Sequence, residues 1–403
     1  MENEIINELK RFIEYFTQKK SIELYEIKIN GPSGNENNLM GIVIFFEIIS
    51  KEKTFHLAMK TARKSDELRE KLPVVLQYKR ELYAYSEIFP AFRKFIQEES
   101  PKFSFDFFPE FYWLCSEEKC ETLVLKDMRY EGYRMLNSKK IWNLEHSLLV
   151  MEHYGKFHAL SFALKDKKPG IFSKMVGKLP PLNFEYRNVM NCLDYLINIL
   201  KYSMNLLEEA GRNDLVQKFN AIKTEFVDTL NYKVPAEDKL VICHADCWNN
   251  NFLFKYDDER FSEPSRVCFL DFQLVTYHSP VVDLSMNIYS TCDHSILENF
   301  DVLLDTYYKS LWKNIECLGS RAEDLFTYEQ LREHWRKYAL YGLILMHVSV
   351  KLSLFNTDEY PDLIEMSEGK WDFQQCLKFQ GKNELEFRRR ILEAFIHFGD
   401  TFL

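Results

Sequence analysis

The sequence contains no apolar run long enough to cross a membrane. Its most apolar stretch, Ala339 to Phe355, falls short of the roughly 18 residues a span requires and carries His347 and Lys351, which predicts a buried helix. The N-terminal segment MENEIINELKRFIEYFTQKK has no continuous apolar centre, so it reads as a charged amphipathic helix and not as a signal peptide. Paired cysteine clusters are also missing. The 9 cysteines are irregularly spaced and odd in number, which points to reduced thiols in a cytoplasmic protein. Cys243, His244, Asp246 and Cys247 stand close together, but a zinc site would need a second ligand pair elsewhere, and none is present. Excess positive charge is lacking as well. At a formal −9, the chain offers no electrostatic case for nucleic acid or an anionic membrane as partner. Repeats, low-complexity tracts and a disordered linker are absent.

What is present is 403 residues, 46% hydrophobic and 28% charged, a soluble globular composition with enough length for more than one domain. Aromatics make up 15%, with 33 Phe and 22 Tyr, a surplus that can line an apolar ligand pocket as well as a core. The chemistry concentrates between Val241 and Gln273. Two β-like runs, Lys239–Cys243 and Val267–Leu270, each deliver an acid: His244-Ala245-Asp246 after the first, Asp271-Phe272-Gln273 after the second. Asn251 follows Asp246 by five residues. H-x-D-x-x-x-x-N followed by D-F-x is the spacing of a phosphotransferase, in which one carboxylate takes the proton of an attacking hydroxyl. An amide oxygen and a second carboxylate then hold Mg²⁺ against nucleotide phosphates.

Upstream elements come in the order such a site needs. A helix pattern over 2–19 precedes strands at 22–29, Gly41–Ile49 and Thr54–Thr61. The turn between the first two strands contains Gly31 and Gly34 and is suited to present backbone N–H groups to phosphates, although alone it is a hairpin turn. The third strand carries Leu57-Ala58-Met59-Lys60, a lysine placed to pair with phosphates, and the next helix, Val74 to Phe89, carries Glu81 to hold it. A lone strand lysine marks only a solvated edge, and most helix glutamates have no such role; the order of the three elements carries the reading. Strands at Phe107–Cys115 and Glu121–Leu125 lead into Lys126-Asp127-Met128, where a hinge would offer backbone groups to an adenine ring. Helices follow at Leu144–Lys165, Glu185–Gly211, Leu215–Leu230, Ile296–Cys317, Tyr328–Leu354 and Glu384–Phe398. His158 reads as a satisfied core residue. Asp283 begins a helix and can cap it or reach back to the loop of Asp246.

The strings HADCWNNN from His244, LDFQ from Leu270 and SPVVDL from Ser279 resemble the ecdysteroid kinase-like (CHK kinase-like) family. That family belongs to the aminoglycoside phosphotransferase and choline kinase group of the protein-kinase-like fold, and its pattern is similar to HGDxWxxN, DFQ and SPxxDL. Leu123–Met128 also resembles its LVLED-L hinge, and Phe157-His158-Ala159 its FHA triplet. The resemblance implies an α+β fold of two lobes, residues 1–125 binding the nucleotide through Lys60, Glu81, Gly31, Gly34, Leu125, Asp127 and Met128. Residues 126–403 would hold catalysis and substrate. It implies Asp246 as catalytic base, Asn251 and Asp271 as Mg²⁺ ligands, and His244 and Asp283 as supports, with ATP and Mg²⁺ as cofactors. The family is prominent in arthropods and is associated with phosphorylation of ecdysteroid hydroxyls and xenobiotic alcohols. The expected partner is therefore a small hydroxylated molecule, acted on by a monomer. Two positions depart from the pattern. Ala245 replaces the usual Gly, a strained choice if φ is positive there, and Lys126 replaces the usual hinge Glu. A protein kinase is disfavoured, because the eleven residues between Asp271 and Asp283 leave no room for an activation segment. A choline- or aminoglycoside-type kinase, and a nucleotide-binding pseudokinase, are the other readings.

Overall fold

The computed structural model describes residues 2–32, 41–179, 192–228, 239–257, 262–291, 293–356, 359 and 381–403. Gly34, the first turns of the helix expected from Glu185, and the end of the one expected to reach Leu230 lie outside them.

Strands β1 (Tyr25–Pro32), β2 (Gly41–Ser50), β3 (Thr54–Ala62), β4 (Phe111–Cys115) and β5 (Thr122–Lys126) form an antiparallel sheet in the order β1-β2-β3-β5-β4. Alternation of side chains divides its faces. Phe46 and Ile48 of β2, Leu57 and Met59 of β3 and Val124 of β5 are buried against Leu9, Phe12, Ile13 and Phe16 of the helix Glu2–Lys20. Ala58 and Lys60 therefore point to the opposite face, across from Phe45 and Val43 on one side and Leu125 and Leu123 on the other. Strand β4 begins later than expected. Phe107 and Phe108 are core rings instead, stacked among Phe89, Phe105, Phe269 and Phe272.

The helix carrying Glu81 is longer than the sequence suggested. Val74–Tyr83 runs through a π-helical turn, Ala84–Ile88, into Phe89–Glu99. It continues because Phe92, Phe95 and Ile96 remain on its buried face.

From residue 128 onward the chain is mainly helical, as expected of this α+β fold. Two glycines set critical separations. A Cβ on Gly155 would lie 2.6 Å from Ser310 Cβ, so the helix Leu144–Lys167 can approach Phe300–Cys317 closely only without one. A Cβ on Gly342 would lie 2.2 Å from the Ser285 carbonyl carbon, which couples Leu340–Leu354 to Val281–Thr291 in the same way. The helix expected over Tyr328–Leu354 is two, parted at Ala339. Tyr328–Tyr338 packs through Trp335 on Phe300 and Tyr289, whereas Leu340–Leu354 follows Val281–Thr291, so the two buried faces differ in direction.

Short strands complete the frame. β7 (Val241–Cys243) pairs with β10 (Thr276–His278), while β6 (Tyr133–Met135), β8 (Phe252–Tyr256) and β9 (Pro264–Phe269) form a three-stranded sheet. β8 was not anticipated, although its Phe252, Leu253 and Phe254 are all buried. No described helix is long and apolar enough to cross a membrane.

Candidate active site

Strand β7 is wholly buried, and it ends at His244 in a turn that needs outside support. Ala245 adopts φ +62°, the left-handed region that an alanine enters at a cost of about 1–2 kcal/mol. The suspected strain is therefore real. Asp283, in the first turn of Val281–Thr291, offsets it: its Oδ2 accepts from His244 N at 2.8 Å and its Oδ1 from Ala245 N at 2.7 Å. Of the two roles expected for Asp283, the structure realises the reach back to the loop. His158 Nε2 lies 3.1 Å from the same Oδ2, and its Nδ1 lies 3.1 Å from Tyr307 Oη, with both rings buried. The pairing is satisfied by Nε2–H donating to the carboxylate and Nδ1 accepting from the tyrosine. Tyr341 closes the turn from the other side by donating to Ala245 O at 3.1 Å. The close helix contacts made possible by Gly155 and Gly342 are what bring Tyr307 and Tyr341 within reach.

His158, Cys243 and Asp283 are near enough together to suggest a metal cluster among the described residues. Their ligand atoms are already engaged. Cys243 Sγ donates to Ser279 O at 3.2 Å, and burial pushes its thiol up, away from the thiolate that a metal needs.

His244 ties the two acid-bearing loops together. Its Nδ1 accepts from Asp246 N at 3.1 Å, which leaves the proton on Nε2 to donate to Leu270 O at 2.7 Å. Asp246 is buried, with 8% exposure. Asn251 Nδ2 donates to both Asp246 O and Asp246 Oδ2 at 2.8 Å, and Gln273 Nε2 donates to Oδ2 at 3.1 Å. Burial raises the Asp246 carboxyl and the nearby Asp271 charge raises it further, while His244, Gln273 and Asn251 pull it back down.

Asp271 also sits at φ +62°, which turns its carboxylate toward β3. Lys60 Nζ bridges Asp271 Oδ1 at 2.6 Å and Glu81 Oε2 at 2.7 Å. Burial by itself would lower the Lys60 pKa, but the charges of Asp271 and Glu81 outweigh it and the net shift is upward. Glu81 is raised by burial and only partly drawn back by Lys60. Lys60, Glu81 and Asp271 thus form one group and Asp246 and Asn251 another, all named from sequence; Gln273 and His244 join the two loops, with Asp283 behind.

The hinge candidates divide. Asp127 donates its N–H to His56 O at 3.0 Å, and its carboxylate caps the turn Met128–Glu131 while pairing with Arg129 at 2.6 Å. Its N–H and carboxylate are therefore occupied. Met128, first residue of that turn, has no partner within it for its N–H. Leu125 faces Ala58 on the site side of the sheet. Lys126 pairs with Glu131 at 2.5 Å, and Gly31, next to last in β1, has φ +87°. Sequence reasoning missed Gln273, Tyr341 and Tyr307 as contributors. Only Gln273 carried a signal, as the third residue of D-F-x.

The ecdysteroid kinase-like family model matches residues 39–320. The chain belongs to that family. No curated protein matches it. Among solved structures it is similar to spectinomycin phosphotransferase in complex with ADP and spectinomycin, at 12% identity and a TM-score of 0.42, over 96% of this chain and 98% of that one. It is also similar to aminoglycoside 2'-phosphotransferase-IIIa in its GDP complex, at 11% identity and a TM-score of 0.44, over 96% of this chain and 98% of that one.

Proposed function

We propose that this ecdysteroid kinase-like protein transfers the γ-phosphate of ATP to a hydroxyl of a small, largely apolar acceptor: an ecdysteroid, or a xenobiotic alcohol, phenol or glycoside. The observation that carries the proposal is the Lys60 ammonium joined to Glu81 and Asp271 at 2.7 and 2.6 Å. The Asp246 carboxylate, held by the Asn251 amide, belongs to the neighbouring loop, and Gln273, two residues beyond Asp271, donates to it across the two loops. In this reading residues 1–125 bind the nucleotide, 126–403 provide the acceptor site, and Lys126-Asp127-Met128 is the hinge.

The donor set fits Mg²⁺. Asn251 Nδ2 is spent on Asp246, and the Asn251 amide oxygen and the Asp271 carboxylate would be the hard-oxygen donors of the kind Mg²⁺ prefers. Asp246 is raised first by burial and second by the Asp271 charge, and only the second of these would be relieved by a cation. When bound, Mg²⁺ would neutralise phosphate charge beside these residues. Asp246 holds the acceptor hydroxyl and takes its proton as the new O–P bond forms and the bond to the ADP leaving group breaks. Lys60, restrained at two points, supplies fixed positive charge to the nucleotide phosphates. Most of the acceleration then comes from positioning and electrostatics.

The test is γ-phosphate transfer to a panel of ecdysteroids, plant phenolics and glycosides, choline and an aminoglycoside. Asp246→Asn should lower turnover by about 10²–10⁴-fold with nucleotide binding kept. Asp271→Ala should weaken Mg²⁺–nucleotide binding along with turnover. Small and equal effects of the two changes would overturn the role assignment, and nucleotide binding without transfer would favour a pseudokinase.

A further inference from the structure

Asp246 presents an asymmetric carboxylate. Its Oδ2 receives two amide donors, Asn251 Nδ2 at 2.8 Å and Gln273 Nε2 at 3.1 Å, whereas Oδ1 receives none from the described residues. The two donors come from different loops, Asn251 from the turn ahead of β8 and Gln273 from the loop after β9. A carboxylate torsion is broad and roughly two-fold, so a single donor would leave it free to rock. Two donors on one oxygen hold the plane and leave the other oxygen bare.

We propose that Gln273 is a positioning residue for phosphate transfer, turning Asp246 so that Oδ1 alone faces the acceptor hydroxyl. This rests on Asp246 being the base, as argued above. The chemistry of the side chain suits the task. A lysine or arginine there would add a full positive charge and weaken the carboxylate as a base, whereas a neutral amide orients it with a smaller effect. Gln273 also stands two positions beyond Asp271, whose left-handed backbone aims it at Lys60. The base is thereby oriented only while the Asp271 loop is docked on Lys60, so nucleotide-side and acceptor-side groups are set together.

A double-substitution cycle tests this, using the full chain with the best acceptor of the panel. Gln273→Met keeps length and removes the donor; kcat should fall about 10–100-fold, the scale of a misplaced reacting group, with nucleotide Kd within about two-fold of the parent. In an Asp246→Asn background the same change should cost no more than about two-fold, because a residue acting through Asp246 has nothing left to position. Gln273→Glu, matched in shape, should lose at least as much as Gln273→Met and serves as the second reading if the methionine variant folds poorly. Losses that multiply in the double variant, or a change in nucleotide Kd larger than the change in kcat, would overturn the role of Gln273 and leave the kinase reading standing. Full transfer by Asp246→Asn would overturn both.

Discussion

Replacing Asp283 by Asn should damage the site far more than its distance from the chemistry suggests. The carboxylate accepts from Ala245 N at 2.7 Å through Oδ1, and from His244 N at 2.8 Å and His158 Nε2 at 3.1 Å through Oδ2. Asparagine keeps the shape but has only one acceptor oxygen. Placed toward His244 and His158, that oxygen leaves the amide NH₂ facing the Ala245 N–H, donor against donor, in a spot with no solvent. A lost charge-assisted bond with a stranded donor costs about 1.5–3 kcal/mol, and the loss of charge on the remaining two bonds brings the total to about 3 kcal/mol. With a urea dependence of about 3 kcal/mol/M, the midpoint should drop by roughly 1 M. Ala245 would also lose the bond that holds it at φ +62°, so Asp246, the next residue, should drift and kcat should fall about 10²-fold. Asp283→Ala strands both N–H groups and His158 together and should leave little folded protein. The experiment is urea unfolding and acceptor turnover on the same Asp283→Asn preparation. A midpoint within about 0.2 M of the parent, with unchanged kcat, would refute the claim that two acceptor oxygens hold this turn.

Three further outcomes follow from the same structure. Lys60→Met should destabilise by about 3 kcal/mol by leaving the buried Glu81 and the half-buried Asp271 carboxylates face to face, whereas Glu81→Gln leaves a balanced Lys60–Asp271 pair and should cost far less; equal losses in unfolding experiments would overturn that charge accounting. His347 is buried between Leu343 O and Ser203 Oγ, and burial pushes its pKa to about 3 from an ordinary 6.5. The unfolded chain therefore takes up the proton first, and this stability is present above about pH 6.5 and lost as pH falls toward 3. The unfolding free energy of His347→Gln should accordingly vary less steeply from pH 6 to 4, by up to about 1.4 kcal/mol per pH unit, and identical slopes would count against a neutral buried ring. Ala245→Gly should relieve about 1–2 kcal/mol of backbone strain but lose about 0.8 kcal/mol of methyl burial and roughly 0.5–1 kcal/mol of chain entropy. Its stability should stay within about 1 kcal/mol of the parent with turnover unchanged, and a large gain in kcat would show that the alanine itself impairs the site.

Lys60, Asp246 and Asp271 were legible in sequence because the first stands near the end of an apolar strand and the other two just past one, where the chain pattern and the chemistry coincide. Asp283 was half legible. Its place at a helix start suggested a cap or a return contact, and only the packed helices decide between them. Gln273 escaped because attention to D-F-x falls on the acid, and nothing local says that the third side chain will cross to another loop. Strand β8 was hidden because Phe252–Tyr256 directly follows Asn251 in what reads as loop. The break at Ala339 was invisible for a different reason: alanine favours helix, and only the divergent burial of Trp335 and Leu343 bends the chain there.

The aromatic packing behind Glu81 bears on how such a protein can be controlled. The helix that carries Glu81 does not stop near it; past the π turn, Phe89 packs on Phe105, Phe108 and Phe272, and Phe92 on Phe157. Swinging that helix outward to part Glu81 from Lys60 would uncover these rings at about 1.5–3 kcal/mol each. A helix displaced and restored by a signal is a cheap switch only where its far end is loosely seated. Here it is anchored in the same core as the Phe272 that follows Asp271, so the Glu81–Lys60 pair is held by the seating of the whole helix and not by its near end alone.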